Sequence, residues 1–472
     1  MLNYVNEILT GFRSCFRRYA TYRWFVIIVV GLMLRGDHLG VTSVIRDLTL
    51  SHDCYESMLH FFRSEAFDLR CIVDRWLSIV KKYAPIHREN GMVVLIGDGV
   101  KQSKEGRFMP GVKKLHQESE DSSKGEYIFG HMFGGIGALA GNAAKWFCIP
   151  LRFNIQDGLQ KTANWDNSVY SSESHVVQMI RNGYHAASVL GKSIMLLDRY
   201  FLTVPALNAL NELNNSTTLL NIVTKAKSNC IAYEKAPAYS GHGRPRKRGD
   251  MIKLKELFKS RTEQFQTADV VIYGRKETVD YLCLDLLWGK GLYQPMRFVL
   301  VKLDGSESIL ASTDVSLDPL AIIRLYSYRF NIESCFREFK QCLGGFGYHF
   351  WTNAMPKLNH FRKKDDSDPI ETIKSKSKRD KILFTARATE VFVQLSVIAM
   401  GIVQMLSIKF SSVFSLSDIR YLRTPSKSIV SEATLMDVLR RNFCYLLVDS
   451  ADLPIVQIIR RKQVLPDKLR VS

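Results

Sequence analysis

Met92-Val93-Val94-Leu95-Ile96-Gly97-Asp98-Gly99 is the stretch on which the fold turns. An unbroken apolar run of this length suits a central strand covered on both faces, and Asp98 falls where the run emerges between two glycines. A carboxylate at that place is costly to leave unpaired, so it either coordinates a metal ion or caps a turn. Upstream, Pro85 to Gly91 is a polar break. Downstream, Lys101 to Lys124 is rich in Lys and turn formers and is expected to be a loop. Lys101, Lys104, Arg107, Lys113, Lys114 and His116 within it either line the approach of a polyanion backbone or belong to a solvated surface.

Further along, Tyr127 to Leu139 and Trp146 to Phe153 read as two more strands. His131, in the first of these, is either a satisfied core histidine or a group that reaches the site. Ser171 to Leu190 has the spacing of an amphipathic helix, and Lys192 to Phe201 is a fourth strand ending in Asp198. A helix over Val204 to Leu213 and a short strand over Thr218 to Val223 continue the pattern. Three strands, a helix and a strand predict an α/β fold with a ribonuclease-H-like mixed sheet flanked by helices. In such a sheet the first and fourth strands are neighbours, so Asp98 and Asp198 are expected to converge.

A third carboxylate lies in Tyr326-Ser-Tyr-Arg-Phe-Asn-Ile-Glu-Ser-Cys-Phe-Arg-Glu-Phe-Lys340. Without Pro or Gly, and with Leu325, Ile332, Phe336 and Phe339 at helical steps, the stretch predicts one helix with a buried face. Tyr326, Arg329, Glu333 and Lys340 then share one stripe. Arg forks onto phosphate oxygens and Lys adds a point charge, so a carboxylate among them suits a metal ion held over a phosphodiester. The plainer alternative is that Glu333 pairs with Arg329 or Arg337 on a solvated face.

The spacing Tyr-x2-Arg-x3-Glu-x6-Lys resembles the YREK signature of a large bacterial insertion-sequence family of DDE transposases. Asp198-Arg199-Tyr200-Phe201 also resembles that family's second catalytic motif. The resemblance implies that Asp98, Asp198 and Glu333 are the catalytic, metal-binding carboxylates for two Mg²⁺ ions, with Mn²⁺ able to substitute. It implies that Tyr326, Arg329 and Lys340 bind DNA at the cut. The partners implied are transposon ends and target DNA, with a homodimer in the synaptic complex.

Glu333 comes 135 residues after Asp198, late for such a fold. Residues 224–312, with short alternating strands, therefore read as a β-rich insertion, which the resembled family also carries here. Inside it, Gly243-Arg-Pro-Arg-Lys-Arg-Gly249 is similar to minor-groove hooks or is a solvated basic loop. Trp288 reads as a core residue or a base-stacking one. The expected division is a helical DNA-binding part over 1–88, a catalytic core over 89–223 and 313–352 interrupted by the insertion, and a helical C-terminal part over 353–472. Within the first part, Gly40 to Leu48 and His52 to Ser57 form either a helix-turn-helix or part of an ordinary bundle. Arg362 to Lys381 is expected to be a mobile charged loop, and Ala386 to Leu406 a long helix.

The chain of 472 residues carries 65 Lys and Arg against 46 Asp and Glu, a formal charge of +19. That excess favours a polyanion, nucleic acid before a membrane surface. Nine cysteines without a Cys-x-x-Cys pair indicate neither a disulfide framework nor a zinc finger, and point to a reducing cytoplasm. Trp24 to Leu34 is too short to span a bilayer, and Val391 to Leu406, interrupted by two glutamines, reads as a buried helix. Two other classes share these features: a metal nuclease that cuts without joining, and a catalytically silent DNA-binding repressor.

Overall fold

The computed structural model describes residues 1–38, 40–117, 125–239, 244–359, 368–413 and 428–464. The predicted central strand is real and longer than its apolar run: β1 spans Met92–Ser103. Its first half pairs in parallel with β4 (Ser193–Leu197), from Val93 opposite Ser193 to Ile96 opposite Leu196. Its second half continues only against β2 (Tyr127–Asn142), so Asp98 sits at the fork where β4 ends rather than at a strand terminus. The parallel half is apolar on both sides because helices and neighbouring strands bury it, with Met92 to Ile96 all 4 % exposed or less.

β3 (Lys145–Asp157) pairs with β2, and β5 (Leu220–Lys225) runs parallel to β4. The core order is therefore β3-β2-β1-β4-β5, in which β2 alone runs antiparallel to the other four. This is the ribonuclease-H-like mixed sheet. The crossover between β3 and β4 is α1 (His175–Leu190), which buries Val176, Met179, Ile180, Ala187 and Leu190 against the sheet. The segment after β1 is not simply a loop. Lys101 to Ser103 still belong to β1, and Lys113–His116 adds a short strand at the free side of β2.

The strands of 224–312 extend the same sheet. β6 (Gln266–Ile272), β7 (Arg275–Trp288), β8 (Gln294–Leu303) and β9 (Ser306–Ser312) form an antiparallel meander, and β9 closes it onto β5. Tyr273 and Gly274 turn β6 into β7 with φ of 52° and 78°. Two left-handed residues in succession make the tight hairpin turn whose twist matches the strands it joins. Trp288 packs, half-buried, against the core. Of the basic stretch, Arg244 to Lys247 are exposed and Arg248 stacks 4.1 Å from the centre of the Tyr233 ring; Gly243 lies outside the described residues.

α2 (Pro319–Ser327) opens on Asp318, whose carboxylate accepts from the Ala321 amide at 2.9 Å, with Pro319 at the first helical position. The expected single helix over 326–340 is broken. A 3-10 turn, Tyr328–Phe330, separates α2 from α3 (Asn331–Gln341), and the Asn331 side chain donates to the Tyr328 carbonyl at the joint. The predicted apolar face holds across it, with Leu325, Ile332, Phe336 and Phe339 all buried.

The longest helix, α4 (Lys376–Lys409), runs through the middle of the fold against β3 and the N-terminal helix Tyr19–Leu34. It is long and apolar enough to cross a membrane, yet 94 % of its apolar window is buried inside the protein. Its first turns carry Lys376, Lys378, Arg379 and Lys381, which corrects the expected loop over this part of the charged run; Lys363 and Lys364 lie outside the described residues. The helices Thr42–Asp47 and Cys54–Arg63 stand where a helix-turn-helix was one alternative, the second burying Met58, Phe61 and Phe62 and exposing Tyr55, Glu56, Ser57 and His60.

Candidate active site

The fork between β1 and β4 brings the first two carboxylates to one end of the sheet. Asp98 stands opposite Gly135 of β2, and Asp198 directly follows β4. The Thr224 hydroxyl of β5 donates to the Asp198 carbonyl at 3.0 Å, fixing the backbone as it leaves the sheet. Glycine is required around Asp98. A Cβ on Gly135 would lie 2.7 Å from the Phe336 ring and 2.9 Å from that of Phe153, so the bare backbone lets α3 lie close on the sheet.

That close approach delivers the third carboxylate. Arg329 Nη1 donates to Asp98 Oδ2 at 3.0 Å, and Arg329 Nη2 donates to Glu333 Oε1. The Glu333–Arg329 pair expected from spacing is thus present, but it is joined to a strand carboxylate, while Arg337 pairs with Glu338. Asp98 Oδ1 accepts from the Gly99 amide at 2.7 Å. Burial nevertheless pushes the Asp98 carboxyl up to about 6, against the opposing pull of Arg329 and that amide, and the charge of Asp198 adds to the rise. Burial pulls the Arg329 guanidinium down, and Asp98, Tyr326 and Glu333 more than offset it.

Asp198, Tyr326 and Arg329 line one cavity of about 300 Å³ together with Arg199, Lys225, Tyr273 and Phe330. Burial raises the Tyr326 hydroxyl well above its ordinary value, so it stands protonated as a donor. Lys340, two turns beyond Glu333, donates to the Lys101 carbonyl at 3.2 Å, and burial lowers its ammonium. Sequence reasoning missed Lys225 and Tyr273. Tyr273 comes from the tip of the β6–β7 hairpin, and its ring meets Phe330 edge-on at 5.4 Å. Nothing local to residue 273 signals this, because the contact depends on how the extended sheet twists back over α2.

The other basic candidates divide. Lys104 turns inward, donating to the carbonyls of Phe346 and Tyr348 at 2.7 and 2.9 Å, and burial lowers its ammonium to about 8. Lys113 pairs with Asp157, and Lys101 donates to the His116 carbonyl. His131 is a core histidine, held between the Tyr348 hydroxyl and the Pro110 carbonyl at 2.7 and 2.8 Å, and burial lowers it to about 4.

Three carboxylates at one sheet end offer the all-oxygen donor chemistry that Mg²⁺ prefers. Among the described residues, however, no three His, Cys, Asp or Glu side chains stand close enough to share an ion, because Asp98 and Glu333 close on Arg329 instead. The donors fit the metal in kind, and the guanidinium supplies the positive charge between them.

No curated protein matches the chain. The family described as DDE superfamily endonuclease matches residues 11–275, more than half of the sequence, including Asp98 and Asp198 and ending before Glu333. Enzymes of this kind cut DNA and generally use divalent metal ions. The chain belongs to the DDE superfamily endonucleases.

Proposed function

We propose that this endonuclease is a DDE transposase of the YREK type, which binds the inverted-repeat ends of its own insertion sequence, cuts there and joins the freed 3′ hydroxyl to target DNA. The observation that carries the reading is the Arg329 side chain, which joins Asp98 of the sheet to Glu333 of the helix beside Asp198 and Tyr326. Desolvating a partly buried ion pair offsets much of what its attraction contributes, so a guanidinium shared by Asp98 and Glu333 fits a site better than a scaffold.

Asp98, Asp198 and Glu333 would hold two divalent ions, which when bound activate the attacking oxygen and neutralise the charge that builds at phosphorus. Arg329 is placed to fork onto a phosphate oxygen once it leaves the carboxylates. The Tyr326 hydroxyl can donate to a second oxygen, and Lys340 adds a cation farther along the strand. Lys225 and Tyr273 extend the grip onto the insertion. The helical residues 1–88 would contribute to end recognition, two copies of the chain would synapse two ends, and the protein would work in the bacterial cytoplasm at the nucleoid.

The test is cleavage of a labelled duplex carrying the element's end, in Mg²⁺, by the intact protein and by Glu333→Gln. The expected result is cutting by the first and binding without cutting by the second, with joining to a target plasmid by the intact protein. Equal cutting by both would remove Glu333 from the site. Cutting without joining would leave a nuclease of the same fold.

A further inference from the structure

Beyond the carboxylate end, the chain segment after α3 alternates in a way the core does not need. Tyr348 and Phe350 point inward, 1 % and 4 % exposed, with Phe350 5.4 Å from Phe62. His349 and Trp351 point outward, and Trp351 is 54 % exposed. The backbone beneath is tied down: Thr352 donates to the Phe108 carbonyl at 3.1 Å and Leu358 to the Arg107 carbonyl at 2.9 Å. A large indole held in water on a fixed base is a ready contact surface.

Two hollows of about 640 Å³ each meet at His349, Trp351 and Asn353. Arg107 lines one, while Tyr55, Arg63, Lys378 and Lys381 line the other. Among the described residues none of these four cations is ion-paired. Glu105 is the single acid in either wall. Aromatic faces interleaved with unpaired cations match a single-stranded nucleic acid, whose bases stack while its phosphates follow the positive charge.

The position is right as well. Ser103 at the end of β1 lines the cleft, and Asp98 lies five residues earlier on the same strand. That is about 17 Å at strand rise, or about five nucleotide steps.

We propose that the Trp351 cleft binds an unpaired DNA strand next to the cut, Trp351 stacking on a base while Arg63, Lys378 and Lys381 hold its phosphates. The inference rests on the reading of DNA as substrate but needs no cleavage. Binding by the full chain carrying Glu333→Gln is measured by fluorescence anisotropy, on a blunt duplex and on the same duplex with an extension of about ten nucleotides. Adding Trp351→Ala should weaken the extended duplex roughly tenfold to a hundredfold and leave the blunt one unchanged. Trp351→Phe should restore most of the loss, and replacing Arg63, Lys378 and Lys381 with Ala should flatten the salt dependence for the extended substrate alone. Unchanged affinity for both duplexes, or equal loss on both, overturns the cleft and leaves the catalytic reading standing. Failure of the parent protein to bind either duplex overturns both.

Discussion

Arg329 and Asp98 are 231 residues apart in the chain, and their side chains meet at 3.0 Å. The same guanidinium holds Glu333, so one arginine stands between a strand carboxylate and a helix carboxylate. It keeps the buried Asp98 more acidic than its surroundings would, and it occupies the space a cation shared by the two acids would take.

Replacing Arg329 should therefore have two effects of opposite sign. Arg329→Ala should lower the cleavage rate by about 10²–10³, as loss of a charge-stabilising donor does elsewhere. In the absence of DNA it should tighten Mn²⁺ binding, read by calorimetry, because the carboxylates lose their internal counter-ion. Weaker Mn²⁺ binding would show that Arg329 organises the acids rather than competing for them.

Gly135 lies across the ladder from Asp98, with no room for a side chain under Phe336. Gly135→Val should cost about 1–3 kcal/mol of stability by overpacking and displace α3 outward. Cleavage should then be lost at temperatures where circular dichroism still reports a folded protein. Normal activity in a folded Gly135→Val protein would mean that α3 is not positioned by this contact.

Lys104 gives a pH dependence of known sign. Its folded value of about 8 lies below the ordinary 10.5 because the ammonium is buried. Below pH 8 it is charged in both folded and unfolded chains; between 8 and 10.5 the unfolded chain binds more protons, so stability rises with pH. Urea unfolding at pH 7.5 and 9.5 should show a gain of about 1–3 kcal/mol in the native protein relative to Lys104→Met. The variant should also be less stable at pH 9.5, since the Phe346 and Tyr348 carbonyls lose their donor.

The net charge of +19 should make DNA binding steeply salt-dependent. Affinity for an end duplex should fall at least tenfold between 50 and 200 mM salt by anisotropy, the response expected when several phosphates are neutralised. A flat salt response would place the basic excess away from the DNA.

The sequence by itself determined the order of the core elements. Apolar runs of strand length before Asp98 and Asp198, and helical spacing around Glu333, are local consequences of which residues tolerate burial, and they are legible without a partner. The apolar face from Leu325 to Phe339 survived even the unforeseen 3-10 turn. The identity of Lys104 as a buried cation, the merging of 224–312 into the core sheet, and the start of α4 at Lys376 were decided only in three dimensions. A lysine's sequence context does not say whether carbonyls will be waiting for it, and the edge of a sheet is open until another strand is packed beside it. Tyr273 and Lys225 join Asp198 and Arg329 for the same reason: each is placed by a sheet whose twist accumulates over many strands, which no local stretch encodes.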